Sequence, residues 1–221
     1  MKNILAIYRR ELSSYFDSPL AYIVIPVFLG LVGGFSLYFQ DLFASPTVSM
    51  RSVFFWCAVC SVLLIPAITM RLFAEERRSG SLELLVTLPI TESELVAGKY
   101  LAAVSLVAIA LLLTASYPLT LSTMGQLDLG PVAGGYLGLL LLSAAFTAIG
   151  TAASAFTSNQ IIAFFVALVA CLVPFATGFA LAQVPAGLLP LVQYLSFETH
   201  FNNLARGVID SRNIVFYLSV C

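Results

Sequence analysis

Long apolar runs constrain the fold of this chain more than any other feature of its sequence. Five of them are long enough to cross a bilayer as α-helices, which takes ~20 residues each. They lie at residues 20–39, 52–73, 99–123, 131–156 and 160–182. Only 10% of the residues are charged, against about 25% in an average soluble domain. The pattern predicts an all-α integral membrane protein that forms one transmembrane domain over residues 1–221.

A sixth apolar run begins at Asn213 and occupies residues 213–221. This stretch is too short to span a bilayer as a helix. We therefore expect it to be the start of a sixth transmembrane helix that continues beyond residue 221.

Basic residues near the ends of the apolar runs predict the orientation of the chain. With the N-terminus inside, seven of them lie on the cytoplasmic side and three lie outside. The inner set is Lys2, Arg9, Arg10, Arg71, Arg77, Arg78 and Lys99, and the outer set is Arg51, Arg206 and Arg212. Because cytoplasmic flanks carry the excess of Lys and Arg, we expect a multi-pass membrane protein with a cytoplasmic N-terminus.

Residues 1–18 are too polar to span and have the spacing of an amphipathic helix. One helical face carries Leu5, Tyr8, Leu12, Tyr15 and Phe16. We expect an interfacial helix whose arginines reach lipid phosphates. The charged residues of this helix are Arg9, Arg10 and Glu11. An ordinary positive flank of the first span is the alternative.

Several functional classes lack the residues that they need. The net charge is −1, which offers no basic surface to nucleic acid. Between Tyr100 and Phe197 the only Asp, Glu, Lys, Arg or His is Asp128, so no series of buried charges predicts a proton pump. The string nearest to a phosphate-binding loop, SELVAGKY, lacks its first glycine and its final Ser or Thr. We expect no catalytic residue, no cofactor and no metal site in this chain.

Pairs of glycines four residues apart occur in two of the predicted spans. Gly30 and Gly34 form one pair, and Gly134 and Gly138 form the other. Small residues at this spacing let helix backbones approach closely. Packing within one bundle and packing between two subunits both remain open from the sequence.

Residues 183–212 follow the fifth run and are interrupted by Pro185 and Pro190. The prolines make a spanning helix unfavourable, so we expect an external re-entrant hairpin that caps the bundle. Its polar residues include Glu198, His200, Arg206 and Asp210. One Glu and one His are too few for a metal or catalytic site. We therefore expect Glu198 and His200 to form a hydrogen-bonded surface pair.

Mixed charge is concentrated in the loop between the second and third runs, residues 74–98. A flank that only determines topology needs Arg and Lys, and it leaves the acids of this loop unexplained. Gly80 is expected to end the preceding helix, and Pro89 to end a short helix with the sequence SLELLVTL. The string TESE at residues 91–94 has the form of a capping box for the next helix. Leucines beside mixed charge predict a protein-docking surface.

The stretch IPAITMRLFAEERRSGSLELLVTLPITESELVAGKYL resembles the corresponding loop of ABC-2 type permeases. The likeness is greatest to the gliding-motility-associated permease and looser to the permeases that assist nitrous-oxide reductase maturation. Residues 145–165, residues 200–219 and the N-terminal string YRRELSSYFDSPLAYIV are similar as well.

The resemblance implies a six-helix, type V exporter-like half-transporter that pairs with a second permease copy or a related permease. It also implies separate ABC ATP-binding subunits, which would hold the ATP and Mg. A periplasmic or membrane accessory protein is a further partner of this class, together with membrane lipid.

Carried onto this chain, the resemblance makes residues 2–17 the connecting helix and residues around 81–88 the coupling helix. It also implies a place in the bacterial inner membrane. The residues that contact or orient the ATPase would be Arg71, Glu75, Glu76, Arg77, Arg78, Gly80, Glu83, Leu84, Leu85 and Pro89. The leading hypothesis is the membrane subunit of an ATP-driven exporter. A mechanotransmission anchor that passes ATPase motion to a periplasmic partner, without moving substrate, is the alternative.

Overall fold

The structure is a computed structural model, and it describes residues 2–40, 49–81, 90–123, 125, 127–181, 185, 187–208 and 210–221. Within these ranges the chain forms eleven α-helices and no strand. The helices are α1 (Lys2–Asp17), α2 (Pro19–Gln40), α3 (Arg51–Thr69), α4 (Ala74–Ser79), α5 (Glu92–Leu113), α6 (Ser116–Ser122), α7 (Leu129–Ala155), α8 (Gln160–Ala180), α9 (Leu189–Leu195), α10 (Phe197–Ala205) and α11 (Ser211–Val220). The prediction of an all-α protein is confirmed.

Five helical segments of the described chain are long and apolar enough to cross a membrane. They are Pro19–Tyr38, Arg51–Ser79, Glu92–Ser122, Leu129–Ala155 and Gln160–Ala180. Each coincides with one of the five apolar runs, which confirms the prediction of a multi-pass helical fold. The sixth run forms α11, a helix of 10 residues, and a sixth span remains a prediction.

Helix α7 lies at the centre of the bundle, where it packs against α3, α5, α8, α10 and α11. Its glycines allow this close approach. A Cβ on Gly135 would overlap the ring of Phe54 in α3. Large side chains of α7 fill the remaining space and are fully buried, namely Leu139, Leu142 and Phe146. Because lipid tails are as apolar as leucine, this dense van der Waals packing is what favours association of the helices.

Helices α2 and α8 form outer faces of the bundle. In the most apolar 18-residue stretch of each of these helices, only 22% is buried inside the protein. The corresponding share is 61% in the span that contains α3. Their large exposed side chains include Tyr22, Ile23, Ile161 and Phe165. Such faces suit contact with lipid or with another apolar surface.

The second span is interrupted where the sequence suggested a continuous helix. A turn at residues 70–73 separates α3 from α4. The Ser154 hydroxyl of α7 accepts hydrogen bonds from the N–H groups of Phe73 and Ala74, at 3.0 and 3.2 Å. The same hydroxyl donates to the Met70 carbonyl at 3.1 Å. One side chain of another helix thus satisfies backbone groups that the turn leaves unpaired.

The third span, predicted over residues 99–123, lies at Glu92–Ser122 and is divided into two helices. A break at Thr114 and Ala115 separates α5 from α6. Pro118 has no N–H to donate to the carbonyl of Thr114, and its ring crowds that carbonyl. The Thr114 hydroxyl donates to the carbonyl of Leu111 at 2.6 Å. The proline explains the break, because it prevents the helix from continuing through this turn.

Helix α1 packs along α5 and α2. Tyr15 is 3% exposed, and Tyr8, Leu12 and Phe16 are partly buried against the core. Leu5, which the spacing placed on the same face, is 49% exposed. The N-terminal helix is therefore held by the bundle through most of its apolar face, and its depth in the bilayer remains a prediction.

Candidate functional site

Helix α4 carries four of the charged residues assigned to ATPase coupling. Its first turn holds Glu75 and Glu76, and its last turn holds Arg77 and Arg78. This order of charges complements the helix dipole. Gly80 follows with a φ of 73°, a left-handed conformation that glycine adopts without strain. The predicted end of the helix at Gly80 is confirmed.

Four predicted coupling residues fall outside the described part of the chain, as does most of the predicted coupling helix at residues 81–88. They are Glu83, Leu84, Leu85 and Pro89. Their role remains a prediction. The chain on either side, at residues 70–81 and 90–99, forms the geometry described below.

A buried ammonium group lies between α1, α4 and α5. The Lys99 side chain is 2% exposed, and its Nζ lies 2.9 Å from Glu11 Oε1 in α1. The same Nζ lies 2.7 Å from Glu76 Oε1 in α4. It is also 5.5 Å from the centre of the Phe73 ring, within the range of a cation–π contact. Glu11, Glu76 and Lys99 are called the Lys99 triad below.

The Lys99 triad joins three helices by charge. An ammonium group withdrawn from water is costly unless counter-charges and hydrogen bonds replace its hydration. Glu11 and Glu76 supply them from two different helices, with side chains that are themselves 21% and 18% exposed. Moving α4 away from α5 would separate these charges in a medium of low dielectric constant. We therefore expect α1, α4 and α5 to move together at this end of the bundle.

The sequence placed the three triad residues in three separate roles. Glu11 belonged to the interfacial helix, Glu76 to the ATPase contact and Lys99 to the topology signal. The structure brings them together, and the Glu76 side chain reaches inward to Lys99. One feature of the sequence pointed to an ion pair: Lys99 lies at the start of a long apolar run, where a cation needs a counter-charge. Its partners lie 88 and 23 positions away, which no local pattern reveals.

The start of α5 is held against α1 by further contacts. The Thr91 hydroxyl accepts from the Glu94 N–H and the Glu94 carboxylate accepts from the Thr91 N–H, so the predicted capping box is confirmed. The Asn3 side chain donates to Glu94 Oε2 at 3.0 Å. A Cβ on Gly98 would lie 2.7 Å from Cγ2 of Ile7. The two helices can approach this closely only because residue 98 is glycine.

Other charged residues around the Lys99 triad face outward. Arg71 Nε lies 3.8 Å from Glu75 Oε2, one helical turn along the chain. Four arginines of this end are exposed, namely Arg9, Arg10, Arg77 and Arg78. They form a basic rim that is accessible to lipid phosphates or to a protein partner.

The polar residues of the external segment form a separate cluster around His200. Its Nδ1 lies 2.7 Å from Asn213 Oδ1 in α11, and its Nε2 lies 3.0 Å from the Tyr194 carbonyl. Glu198 accepts a hydrogen bond from the Asn202 side chain. The predicted pair of Glu198 with His200 is therefore wrong, because each side chain has found another partner on a neighbouring turn or helix.

Glu198, Arg206 and Asp210 are the remaining predicted residues of this external segment. Burial raises the pKa of Glu198 above its ordinary value, while the Asn202 hydrogen bond and the Arg206 charge act in the opposite direction. Arg206 ends α10, and Asp210 caps α11 by accepting from the Arg212 N–H at 2.9 Å. The re-entrant arrangement relative to the bilayer remains a prediction.

The two glycine pairs have different surroundings. A Cβ on Gly134 would overlap the Leu204 carbonyl oxygen, and one on Gly138 would lie 3.1 Å from Leu204 Cβ. This pair packs within the chain. A Cβ on Gly30 or Gly34 would meet no heavy atom within 4 Å. Among the described residues, the first pair therefore has no close neighbour that requires glycine.

Comparison with known proteins provides the family. A family model described as ABC-2 family transporter protein matches residues 27–215. The match runs from within α2 to within α11 and leaves α1 outside. Comparison with curated proteins gave no match. The match and the five membrane-length helices identify a multi-pass permease subunit of an ABC transporter, a component that works with separate ABC ATP-binding subunits. The chain belongs to the ABC-2 family of transporter proteins.

Proposed function

We propose that this permease converts ATP-driven movement of its partner subunits into movement of its own membrane helices, as part of an exporter. The Lys99 triad is the observation that carries the proposal. It ties α4, the first helix of the 74–98 loop, to α5 and α1 through a buried ammonium group. A force applied to this loop therefore reaches three helices at once. The ATP and Mg would be bound by the partner subunits.

The distribution of charge supports contact with the ATPase at this end of the bundle. The exposed arginines Arg77 and Arg78 project from α4, beside the start of the loop. Arg9 and Arg10 are exposed on α1, which packs on α5. Because Lys and Arg accumulate on the cytoplasmic side of membrane proteins, we propose that this end faces the cytoplasm of a bacterium and that the protein lies in the inner membrane.

A second permease copy, or a related permease, is part of the proposed complex. Helices α2 and α8 present large exposed apolar side chains, and Gly30 and Gly34 of α2 have open space around them. Small residues on an exposed apolar face favour close approach of another helix. The narrower resemblance to gliding-motility-associated permeases remains a prediction, as does an accessory partner.

The test is co-purification of the chain with its ATP-binding subunit from native membranes, followed by ATPase assays in liposomes. Replacing Leu84 and Leu85 with alanine is expected to reduce co-purification, since both belong to the proposed coupling helix. Glu76→Gln is expected to preserve association and to lower stimulation of ATPase activity by about five-fold or more, the scale of a typical coupling energy. Glu92→Gln, which changes an exposed acid at the start of α5, is the matched control.

The same liposomes separate export from mechanotransmission. Movement of a lipid or peptide that depends on ATP supports the exporter. ATP hydrolysis that depends on the permease but moves neither cargo supports the anchor. Wild-type coupling in both the Glu76→Gln variant and the Leu84→Ala, Leu85→Ala variant would overturn the proposed role of the 74–98 loop.

A further inference from the structure

A polar cavity of about 310 Å³ lies beside the Lys99 triad, between α1, α4 and α5. Its volume is within the range of small-ligand sites. Seven charged or hydroxyl-bearing side chains of its wall enter the argument, namely Arg10, Glu11, Tyr15, Arg71, Glu75, Glu76 and Lys99. Two predicted functional residues of the interfacial helix, Arg10 and Glu11, and two of the 74–98 loop, Glu75 and Glu76, thus line one cavity.

Two polar atoms of the cavity wall are buried without a hydrogen-bond partner among the described residues. They are the Tyr15 hydroxyl and Glu76 Oε2. Tyr15 is 3% exposed. Burial raises the pKa of its hydroxyl, and the charge of Glu11 adds to this, while Arg71 acts in the opposite direction. The hydroxyl therefore stays protonated at neutral pH and is available as a donor. Buried donors and acceptors without partners destabilise a fold, so both atoms favour an occupant.

The charges are ordered from the inner end of the cavity to its rim. Two carboxylates share the Lys99 ammonium, which leaves one negative charge in excess at the inner end. Glu75 is paired with Arg71. Arg10 is exposed at the rim and forms no ion pair with another described residue. A complementary occupant has a cation inside and an anion outside.

We propose that this cavity binds a phosphoethanolamine headgroup. The primary ammonium group donates to Glu76 Oε2 at the inner end. The phosphate accepts from the Tyr15 hydroxyl and contacts Arg10 and Arg71 nearer the rim. Phosphocholine has no N–H to donate to a carboxylate, and phosphoglycerol has no cation to balance the excess negative charge. Free phosphate satisfies only the outer half of the site.

Phosphatidylethanolamine and soluble phosphoethanolamine both contain this headgroup. The cavity walls are amphipathic helix α1 and the ends of two membrane-length segments, Arg51–Ser79 and Glu92–Ser122. A site at the end of these segments is accessible to lipid headgroups, so a membrane lipid is the source that we favour. The proposal does not depend on coupling to an ATPase, because binding is measured on the purified permease without nucleotide.

Native mass spectrometry of the full chain, extracted in detergent and given equal amounts of three phospholipids, tests the proposal. Phosphatidylethanolamine is expected to be retained in preference to phosphatidylcholine and phosphatidylglycerol. Tyr15→Phe removes one hydrogen bond and keeps the ring, so it should lower that retention by about five-fold. Tyr22→Phe makes the same change on an exposed face of α2 and should leave the retention unchanged.

A second variant and a soluble competitor complete the test. Glu76→Gln removes the inner negative charge and should abolish the preference for ethanolamine over choline. Displacement of the lipid by soluble phosphoethanolamine supports recognition of the headgroup by itself, and retention against that competitor supports the lipid as the source. Equal retention of ethanolamine and choline lipids by the wild-type chain would overturn the proposal. So would equal loss in Tyr15→Phe and Tyr22→Phe, or stronger retention of phosphatidylglycerol.

Discussion

At the scale of the residue, the buried Lys99 side chain is paired with two carboxylates that lie far from it in the chain. The sequence around Lys99 reads as a basic flank of a membrane span, and the same lysine is nearly fully buried in the fold. Paired charges in the interior make a weak net contribution to stability, but an unpaired charge there is strongly destabilising. The consequence is asymmetric: losing one member of the triad should cost more than losing all three.

Lys99→Met tests this asymmetry. It removes the ammonium group and leaves Glu11 and Glu76 partly buried with no shared counter-charge, so the free energy of unfolding should fall by about 3 kcal/mol. Unfolding in detergent can be followed by the fluorescence of the single tryptophan, Trp56. Arg78→Met, at an exposed position of α4, should change the stability by about 0.5 kcal/mol or less.

A triple variant provides the complementary measurement. Adding Glu11→Gln and Glu76→Gln to Lys99→Met removes all three charges and should restore part of the lost stability. If the triple variant is less stable than Lys99→Met alone, the loss comes from packing and not from unpaired charge.

Glu198 is expected to make stability depend on pH at the opposite end of the bundle. Its raised pKa means that the folded chain binds a proton more tightly than the unfolded chain does. The contribution of this carboxyl to stability is therefore present at low pH and falls as the pH rises from the ordinary glutamate value through the raised value.

Glu198→Gln should remove this dependence. The unfolding midpoint of the variant, relative to wild type, should rise as the pH increases above the ordinary range of a glutamate pKa. The same series with Glu92→Gln, at an exposed position, provides the baseline. A difference that grows toward acidic pH instead would contradict the assignment.

At the scale of the element, the turn between α3 and α4 depends on a hydroxyl from another helix. Ser154 of α7 accepts from two backbone N–H groups of the turn and donates to one of its carbonyls. The direction of α4, and with it the position of Glu76, is therefore determined by α7. Helix α4 has only six residues and is too short to be stable without such support.

Ser154→Ala leaves these buried backbone groups without their partner and should cost about 1–3 kcal/mol of unfolding free energy. Ser143→Ala is a matched control on the same helix, because the Ser143 hydroxyl is buried with no hydrogen-bond partner in the described part of the chain. Chemical denaturation of both variants in detergent provides the comparison. Equal losses would show that the hydroxyl of Ser154 does not stabilise the turn.

At the scale of the whole molecule, α7 is surrounded by other helices and α2 is largely uncovered. The two glycine pairs differ accordingly: Gly134 and Gly138 lie against Leu204, whereas Gly30 and Gly34 face open space among the described residues. If a second permease covers α2, bulky side chains at its glycines should affect assembly more than folding.

Replacing Gly30 and Gly34 with leucine is therefore expected to lower the fraction of dimer while leaving the unfolding midpoint nearly unchanged. Gly134→Leu should instead lower the unfolding midpoint, because even a Cβ there overlaps the Leu204 carbonyl oxygen. Native mass spectrometry measures the first quantity and thermal unfolding the second. An unchanged dimer fraction in the Gly30, Gly34 variant would place the contact elsewhere.

Helix ends that depend on a few neighbouring residues could be predicted from the sequence alone. The left-handed Gly80 ends α4, and the capping box of Thr91 and Glu94 starts α5, as their local patterns predicted. The break between α5 and α6 also has a local cause, because Pro118 has no N–H to donate to the preceding turn. The pairing of Glu198 with His200 failed because partners from α9, α10 and α11 competed for both side chains.

By itself, the sequence determined that the chain is helical and crosses the membrane several times. A hydrocarbon layer requires long apolar runs, and within it backbone groups must be satisfied inside each helix. Only the tertiary structure decided which carboxylates neutralise Lys99, where the second span turns and which glycine pair is packed. These outcomes depend on side chains that lie 23 to 88 positions apart in the chain and that the fold brings together. Helical periodicity shows which residues share a face of one helix, but it does not show which other helix covers that face.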